Sequence, residues 1–244
     1  MTDTTAPVLE ACGVNAAYGR LPVLFDIDVE VARGKVLAIL GANGAGKTTL
    51  LSVLAGLMPV ETGRIRFCGE DVTDEPAERR IRRGLALVQG GAAVFPTLNV
   101  NENLRAGCFP LKISEAELNE RRATVFELFP VLRDRTAQLA GTLSGGERQM
   151  LALAKGLLLG GELLCIDELS LGLAPLIVEQ LGEVVQRLRA DGRTMIIVEQ
   201  SVSLALRLAD DVMVLERGRV VLQGATDELR AELHRLEAAL LGAA

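Results

Sequence analysis

The chain has 244 residues, a formal net charge of −6, 49% hydrophobic residues and only 3% aromatics, with one Tyr and no Trp. This excludes a protein that holds nucleic acid by bulk positive charge. It leaves a core of Leu, Val, Ile and Ala, enough for one large domain or a domain with a lobe. The opening MTDTTAPVLE is polar, so no signal peptide is expected, and the longest apolar runs fall short of a membrane span. A soluble chain is expected, reaching a membrane only through a partner. Cys12, Cys68, Cys108 and Cys165 are scattered without CxxC spacing, the pattern of idle thiols in a reducing compartment.

Positions 8 to 31 alternate apolar and polar residues in pieces, as in LFDIDVEV, which predicts antiparallel strands. KVLAIL (35–40) predicts a buried strand before a Gly-rich loop, and KTTLLSVLAGL a helix closed by Gly56 and Pro59. RIRFCGEDV predicts an edge-type strand with a turn. Residues 88–160 are mostly helical in pattern and predict a lobe, with capping-box pairs at Ser114/Glu117 and Ser144/Glu147. ELLCID, TMIIVEQ and DVMVLER then alternate with helices near 175–190 and 201–208, which implies a parallel sheet with right-handed crossovers. The tail ELRAELHRLEAALLGAA predicts a short amphipathic helix, and the lone His234 in it reads as part of a solvated helix end.

GANGAGKT, Gly41 to Thr48, fits G-x-x-x-x-G-K-[ST] between a strand and a helix. Its glycines let backbone N–H groups of Gly41, Ala42, Asn43, Gly44, Ala45 and Gly46 wrap an anion, and the following helix start adds its positive end. Lys47 is expected to reach the β- and γ-phosphates, and the Thr48 hydroxyl, beside Thr49, to ligate Mg²⁺. LLCIDE ends a strand in two carboxylates: Asp167 to hold Mg²⁺ and Glu168 to polarise the attacking water. Alone, two adjacent acids read as solvated loop residues; beside a phosphate loop the chemical reading wins. LSGGERQ (143–149) is a capping box whose two consecutive glycines, Gly145 and Gly146, leave amides open at a helix start. It is a second anion site in one chain.

The phosphate loop, LSGGERQ and the IDE strand end, in this order and spacing, resemble the ATPase subunit of an ABC transporter over nearly the whole chain. The resemblance implies one ABC-type P-loop NTPase domain over 1–244, α/β in class. Its mostly parallel core sheet would carry an antiparallel β subdomain and a helical subdomain at about 88–160. It implies ATP and Mg²⁺ as ligands. It also explains the second anion site: Ser144, Gly145, Gly146 and Glu147 would complete the ATP site of a second subunit in a head-to-tail sandwich. Tyr18, the only tyrosine, falls where the family stacks an aromatic on adenine.

CIDELSLGLAP, IIVEQS and VFPTLNVNENL are more specific. They resemble the second ATPase subunit of branched-chain amino-acid uptake systems, the LivF type. That branch implies a motor subunit at the cytoplasmic face of the membrane, serving import of hydrophobic amino acids, or of amides or urea. Its partners would be transmembrane permease subunits and, indirectly, a solute-binding protein. Its usual pairing of two different ATPases favours a heteromeric over a homomeric pair. A nucleotide-gated regulatory subunit with slow or no hydrolysis is the other reading.

Three positions depart from the pattern. Gln200 stands where most of the superfamily has a switch histidine; the branch itself is expected to have glutamine, which positions but carries no charge. The Gln expected six places before Pro96 is Gly90, with Gln89 one place early, so Gln89 as a contributor to the Mg²⁺ site rests on a shifted register. Leu169 replaces the Pro that usually follows the catalytic Glu, a loss of rigidity but of no functional atom.

Overall fold

The computed structural model describes residues 6–89, 93–111 and 113–231. Gly90 and His234, singled out above, lie outside the described residues. Two sheets organise the chain. Strands β1 (Leu9–Tyr18), β2 (Leu21–Val31), β4 (Thr62–Phe67) and β5 (Glu70–Asp71) form an antiparallel sheet in the order β2-β1-β4-β5. Strands β3 (Val36–Leu40), β6 (Leu85–Gln89), β7 (Leu163–Asp167), β8 (Met195–Glu199), β9 (Asp211–Glu216) and β10 (Arg219–Ala225) form the second sheet, ordered β10-β9-β3-β8-β7-β6. All its pairings are parallel except the β9–β10 hairpin. The expected strands are present. The reading of the sequence did not single out β6 and β10, the two edge strands of this sheet.

The parallel strands are apolar throughout because both faces are covered. Val36, Ala38 and Leu40 of β3 join one hydrophobic cluster while Leu37 and Ile39 join the other. β7 and β8 divide the same way, with Leu164, Ile166, Met195 and Ile197 on one side and Leu163, Cys165, Ile196 and Val198 on the other. This is the period-2 alternation of a strand between two layers. One layer is α1 (Lys47–Leu54) with the antiparallel sheet. The other holds α3 (Val100–Gly107), α4 (Glu115–Leu128), α5 (Pro130–Asp134), α6 (Gly145–Leu159), α7 (Pro175–Ala190) and α8 (Val202–Leu208).

Helix α2 (Ala77–Arg83) carries the largest fully buried side chain, Arg80. Its guanidinium donates to the carbonyls of Val53, Leu54, Thr73 and Glu75 at 2.7–3.0 Å. Two of these, Val53 and Leu54, are carbonyls at the end of α1, so a buried cation closes the helix that starts at the phosphate loop. Helix α3 is capped by a full Asn99/Glu102 box and α6 by the expected Ser144/Glu147 box. Among the described residues the final helix, α9 (Thr226–Ala231), takes up the start of the predicted tail helix. Among the described residues no helix is long and apolar enough to cross a membrane.

Candidate functional site

Parallel strands β3, β6, β7 and β8 all end at one edge of the sheet, where open α/β sheets place ligands. In register, Leu40 lies opposite Glu199, Asp167 opposite Val198, and Gln89 opposite Asp167. The strand exits thus bring the loop after β3, the acids after β7 and the Glu199–Gln200 pair into one cluster.

The loop Gly41–Gly46 turns tightly into α1. Gly46 takes the left-handed conformation, with φ 105°, as the residue capping α1. A Cβ on Gly41 would stand 2.4 Å from the Leu215 carbonyl oxygen, so the loop passes too close to β9 for any side chain. The Gly218 amide donates to the Ala45 carbonyl at 2.8 Å, and the Phe25 amide to the Gly218 carbonyl at 2.8 Å. The β9–β10 turn thus bolts the loop to the antiparallel sheet, a support that sequence reading missed because it joins segments far apart in the chain. Lys47 is buried and donates from Nζ to the carbonyls of Gly41 at 2.8 Å and Ala42 at 3.0 Å. Burial pushes its ammonium below the ordinary lysine range, against the carboxylates of Glu168, Asp167 and Glu199. Tyr18 is 56% exposed at the end of β1, with its hydroxyl 3.4 Å from that of Thr49. Its ring therefore flanks the start of α1.

Asp167 is buried, and its Oδ1 has no hydrogen-bond partner among the described residues. Burial pushes its carboxyl above the usual range, against the Thr48 hydroxyl; the Glu168 charge adds to the rise and Lys47 opposes it. A buried carboxylate oxygen left unpaired is costly unless something fills its coordination. With the Thr48 hydroxyl it forms an oxygen donor set suited to Mg²⁺, which keeps most of its ligands as water and phosphate. Among the described residues no cluster of three or more His, Cys, Asp or Glu could hold a metal by itself. Gln89 shares the strand face of Asp167 by register and is exposed.

Glu168 has a left-handed backbone, φ 54°, uncommon for a residue other than glycine. Its amide donates to the Val198 carbonyl at 3.1 Å, and Gln200 Nε2 donates to its Oε1 at 3.1 Å. The next residue, Leu169, is fully buried in the helical-side cluster and anchors the turn that Pro was expected to stiffen. Gln149 of α6 donates to the Glu168 carbonyl at 3.4 Å. Glu199, quoted in the sequence but assigned no role there, is 1% exposed and accepts from Ser170 and from the Gln200 amide.

The Ser144–Glu147 turn sits apart from this cluster. No hydrogen bond or ion pair among the described residues joins it to Gly41–Thr49, and Glu147 instead pairs with Arg135 at 3.0 Å. Ser144 and Gly145 are exposed. Gly146 differs from the expectation of two open amide-bearing glycines: it is buried, and a Cβ there would meet Ile177 of α7 at 2.7 Å. Its lack of a side chain serves helix packing.

A Gly-rich turn before a helix, a buried lysine, and paired acids at adjacent parallel strand ends define a P-loop nucleotide-phosphate site. The family model for ABC transporters matches residues 24–170, and the chain belongs to that family. It is 44% identical over 86% of its length, and 89% of the relative's, to the high-affinity branched-chain amino acid transport ATP-binding protein BraG of Pseudomonas aeruginosa. It is 36% identical over 91% of its length, and 94% of the relative's, to the probable branched-chain amino acid transport ATP-binding protein LivF of Archaeoglobus fulgidus. Its fold matches a solved ATP-binding subunit of an ABC transporter with TM-score 0.81 and 30% identity, covering 93% of each chain.

Proposed function

We propose that the protein is the ATP-hydrolysing motor subunit of an ABC importer for branched-chain or other hydrophobic amino acids, with amides or urea as further candidate solutes. The whole described chain acts as one ATPase domain whose helical part lies within residues 88–160. The observation that carries hydrolysis is the pairing of Glu168 with Gln200 beside the unpaired Asp167 oxygen. ATP is the substrate: its phosphates displace the Gly41 and Ala42 carbonyls as partners of Lys47 and accept from the loop amides of Gly41–Gly46, with Thr49 at the helix start. Tyr18 stacks on the base. Thr48 and Asp167, with Gln89 at their edge, would hold Mg²⁺, which when bound offsets charge on the β- and γ-phosphates. Glu168 accepts a hydrogen bond from the attacking water and polarises it, and Gln200 orients that carboxylate.

Ser144, Gly145 and Glu147 face a second ATPase subunit, Gly146 letting their helix start pack close on α7. A heteromeric pair is favoured over a homodimer, as the resemblance to the LivF-type branch implies. Transmembrane permease subunits bind this pair at the cytoplasmic face, a solute-binding protein acts through them, and nucleic acid is not a partner, in keeping with the net charge of −6. The regulatory, non-hydrolysing reading has no support from the strand-end cluster, whose acids and lysine are all in place.

The test is Glu168→Gln in the purified chain. Hydrolysis is expected to fall by roughly two orders of magnitude or more, the scale for losing a positioned base, while nucleotide binding persists and a stable dimer accumulates in size-exclusion chromatography. Wild-type turnover in this variant would remove the assignment.

A further inference from the structure

Glu199 is a nearly inaccessible carboxylate at the β8 exit, where it meets the turn after β7, about thirty residues earlier in the chain, and the amide of its own neighbour Gln200. Its Oε1 accepts from the Ser170 amide at 3.0 Å; its Oε2 accepts from the Ser170 hydroxyl at 2.8 Å and the Gln200 amide at 3.1 Å. Burial pushes the Glu199 carboxyl above the usual range, while the donors on both of its oxygens favour the carboxylate. Ser170 opens the turn Ser170–Gly172, whose tip, Leu171, is 59% exposed despite being apolar. Gln200 in turn holds Oε1 of Glu168 from its side-chain amide at 3.1 Å. The turn, Gln200 and Glu168 line one open cavity of about 210 Å³. The Ser170 turn and the Glu168 carboxylate are therefore joined through two side chains, Glu199 and Gln200, in addition to the backbone.

We propose that Glu199 is a positioning residue that clamps the Ser170–Gly172 turn to Gln200 and thereby sets the placement of the Glu168 carboxylate. The proposal rests on the catalytic reading of Glu168 given above. Its function follows from acceptor chemistry. A carboxylate can serve donors on both oxygens at once, whereas an isosteric amide must turn its NH₂ toward one of the two backbone N–H groups. Glu199→Gln therefore preserves volume and breaks the clamp in either orientation of the amide.

The experiment measures steady-state ATP hydrolysis of the full chain as Glu199→Gln, Ser170→Ala, Gln200→Ala and their combinations, with Glu168→Gln in parallel. For Glu199→Gln, kcat is expected to fall roughly ten- to fiftyfold, the scale of losing a hydrogen bond to a charged group, with KM for ATP held within about twofold because ground-state binding does not pass through Glu199. Ser170→Ala and Gln200→Ala are expected to be non-additive in kcat when Glu199 is present and additive in the Glu199→Gln background. A purely structural role would move KM and kcat together and leave no such coupling. If Glu168→Gln is inactive and Glu199→Gln keeps kcat within about twofold of the parent, the clamp fails alone; if Glu168→Gln hydrolyses like the parent, the catalytic reading fails. Should Glu199→Gln not fold, the Ser170→Ala and Gln200→Ala pair decides: non-additivity supports the clamp and additivity overturns it.

Discussion

The phosphate loop and the β8 exit serve one site by different physical means. The loop's shape comes from backbone: glycines where a neighbouring carbonyl or a left-handed turn leaves no room for a side chain, and amides aimed by the start of α1. The β8 exit comes from side chains: Glu199, Gln200, Ser170 and Glu168 hold one another through hydrogen bonds between segments about thirty residues apart. A backbone-built site fails where an added atom meets backbone, as at Gly41. In a side-chain-built site each substitution costs what its own hydrogen bond or charge contributes.

The contrast breaks most visibly at Gly41. Gly41→Ala puts a methyl 2.4 Å from the Leu215 carbonyl oxygen. Neither backbone can move cheaply, and the cost is expected at about 1–3 kcal/mol, the range of overpacking strain. Nucleotide titration by fluorescence should show ATP affinity falling by one to two orders of magnitude. Undiminished binding would mean the loop is more compliant than its contacts imply.

Asp167→Asn sharpens the contrast from the other side. It removes a charge that burial already disfavours, so without nucleotide or metal the Tm of the protein should rise. The same variant should lose the Mg²⁺ dependence of ATP binding. In the parent, the raised carboxyl pKa means that protons compete with Mg²⁺ at a higher pH than for an ordinary aspartate. Mg²⁺-dependent binding should therefore weaken as pH falls, before an exposed aspartate would protonate. A Tm that drops on Asp167→Asn would show the carboxylate to be structurally satisfied.

Gln200→Ala removes one hydrogen bond to the Glu168 carboxylate and should lower kcat about tenfold, the lower end for a hydrogen bond to a charged group, leaving ATP affinity unchanged. Full activity would return Gln200 to an idle strand end. The smallest effect concerns the thiols. Cys12 and Cys68 are exposed, Cys108 is buried, and burial pushes the fully enclosed Cys165 thiol up to about 12. Alkylation followed by mass spectrometry should label Cys12 and Cys68 in the native protein and add Cys108 and Cys165 only on unfolding, with ATPase activity retained after the first two react.

Much of this site was legible because its chemistry is written in contiguous residues. GANGAGKT, LLCIDE and LSGGERQ each combine a fixed spacing with a local backbone requirement, so the strand, turn and helix start that hold them could be read directly. Gln200 was legible as an anomaly, and its bond to Glu168 supplies the partner that makes it useful. Glu199 was not, since an acid at the end of an apolar strand looks like a solvated boundary until Ser170 is seen folded over it. Arg80 escaped for the same reason: in sequence it is one arginine of a basic helix, AERRIRR, and only the tertiary packing turns it inward onto the end of α1.

By itself the sequence determined the phosphate loop, the acid pair and the alternation of buried strands and helices, because glycine geometry and hydrophobic period act within a few residues. Tertiary structure alone decided that Gly146 is packed under Ile177, that the Gly218 turn braces the loop, and that Glu199 ties Ser170 to Gln200. Those contacts depend on which distant segments the crossovers bring to the same sheet edge, and no local spacing encodes that.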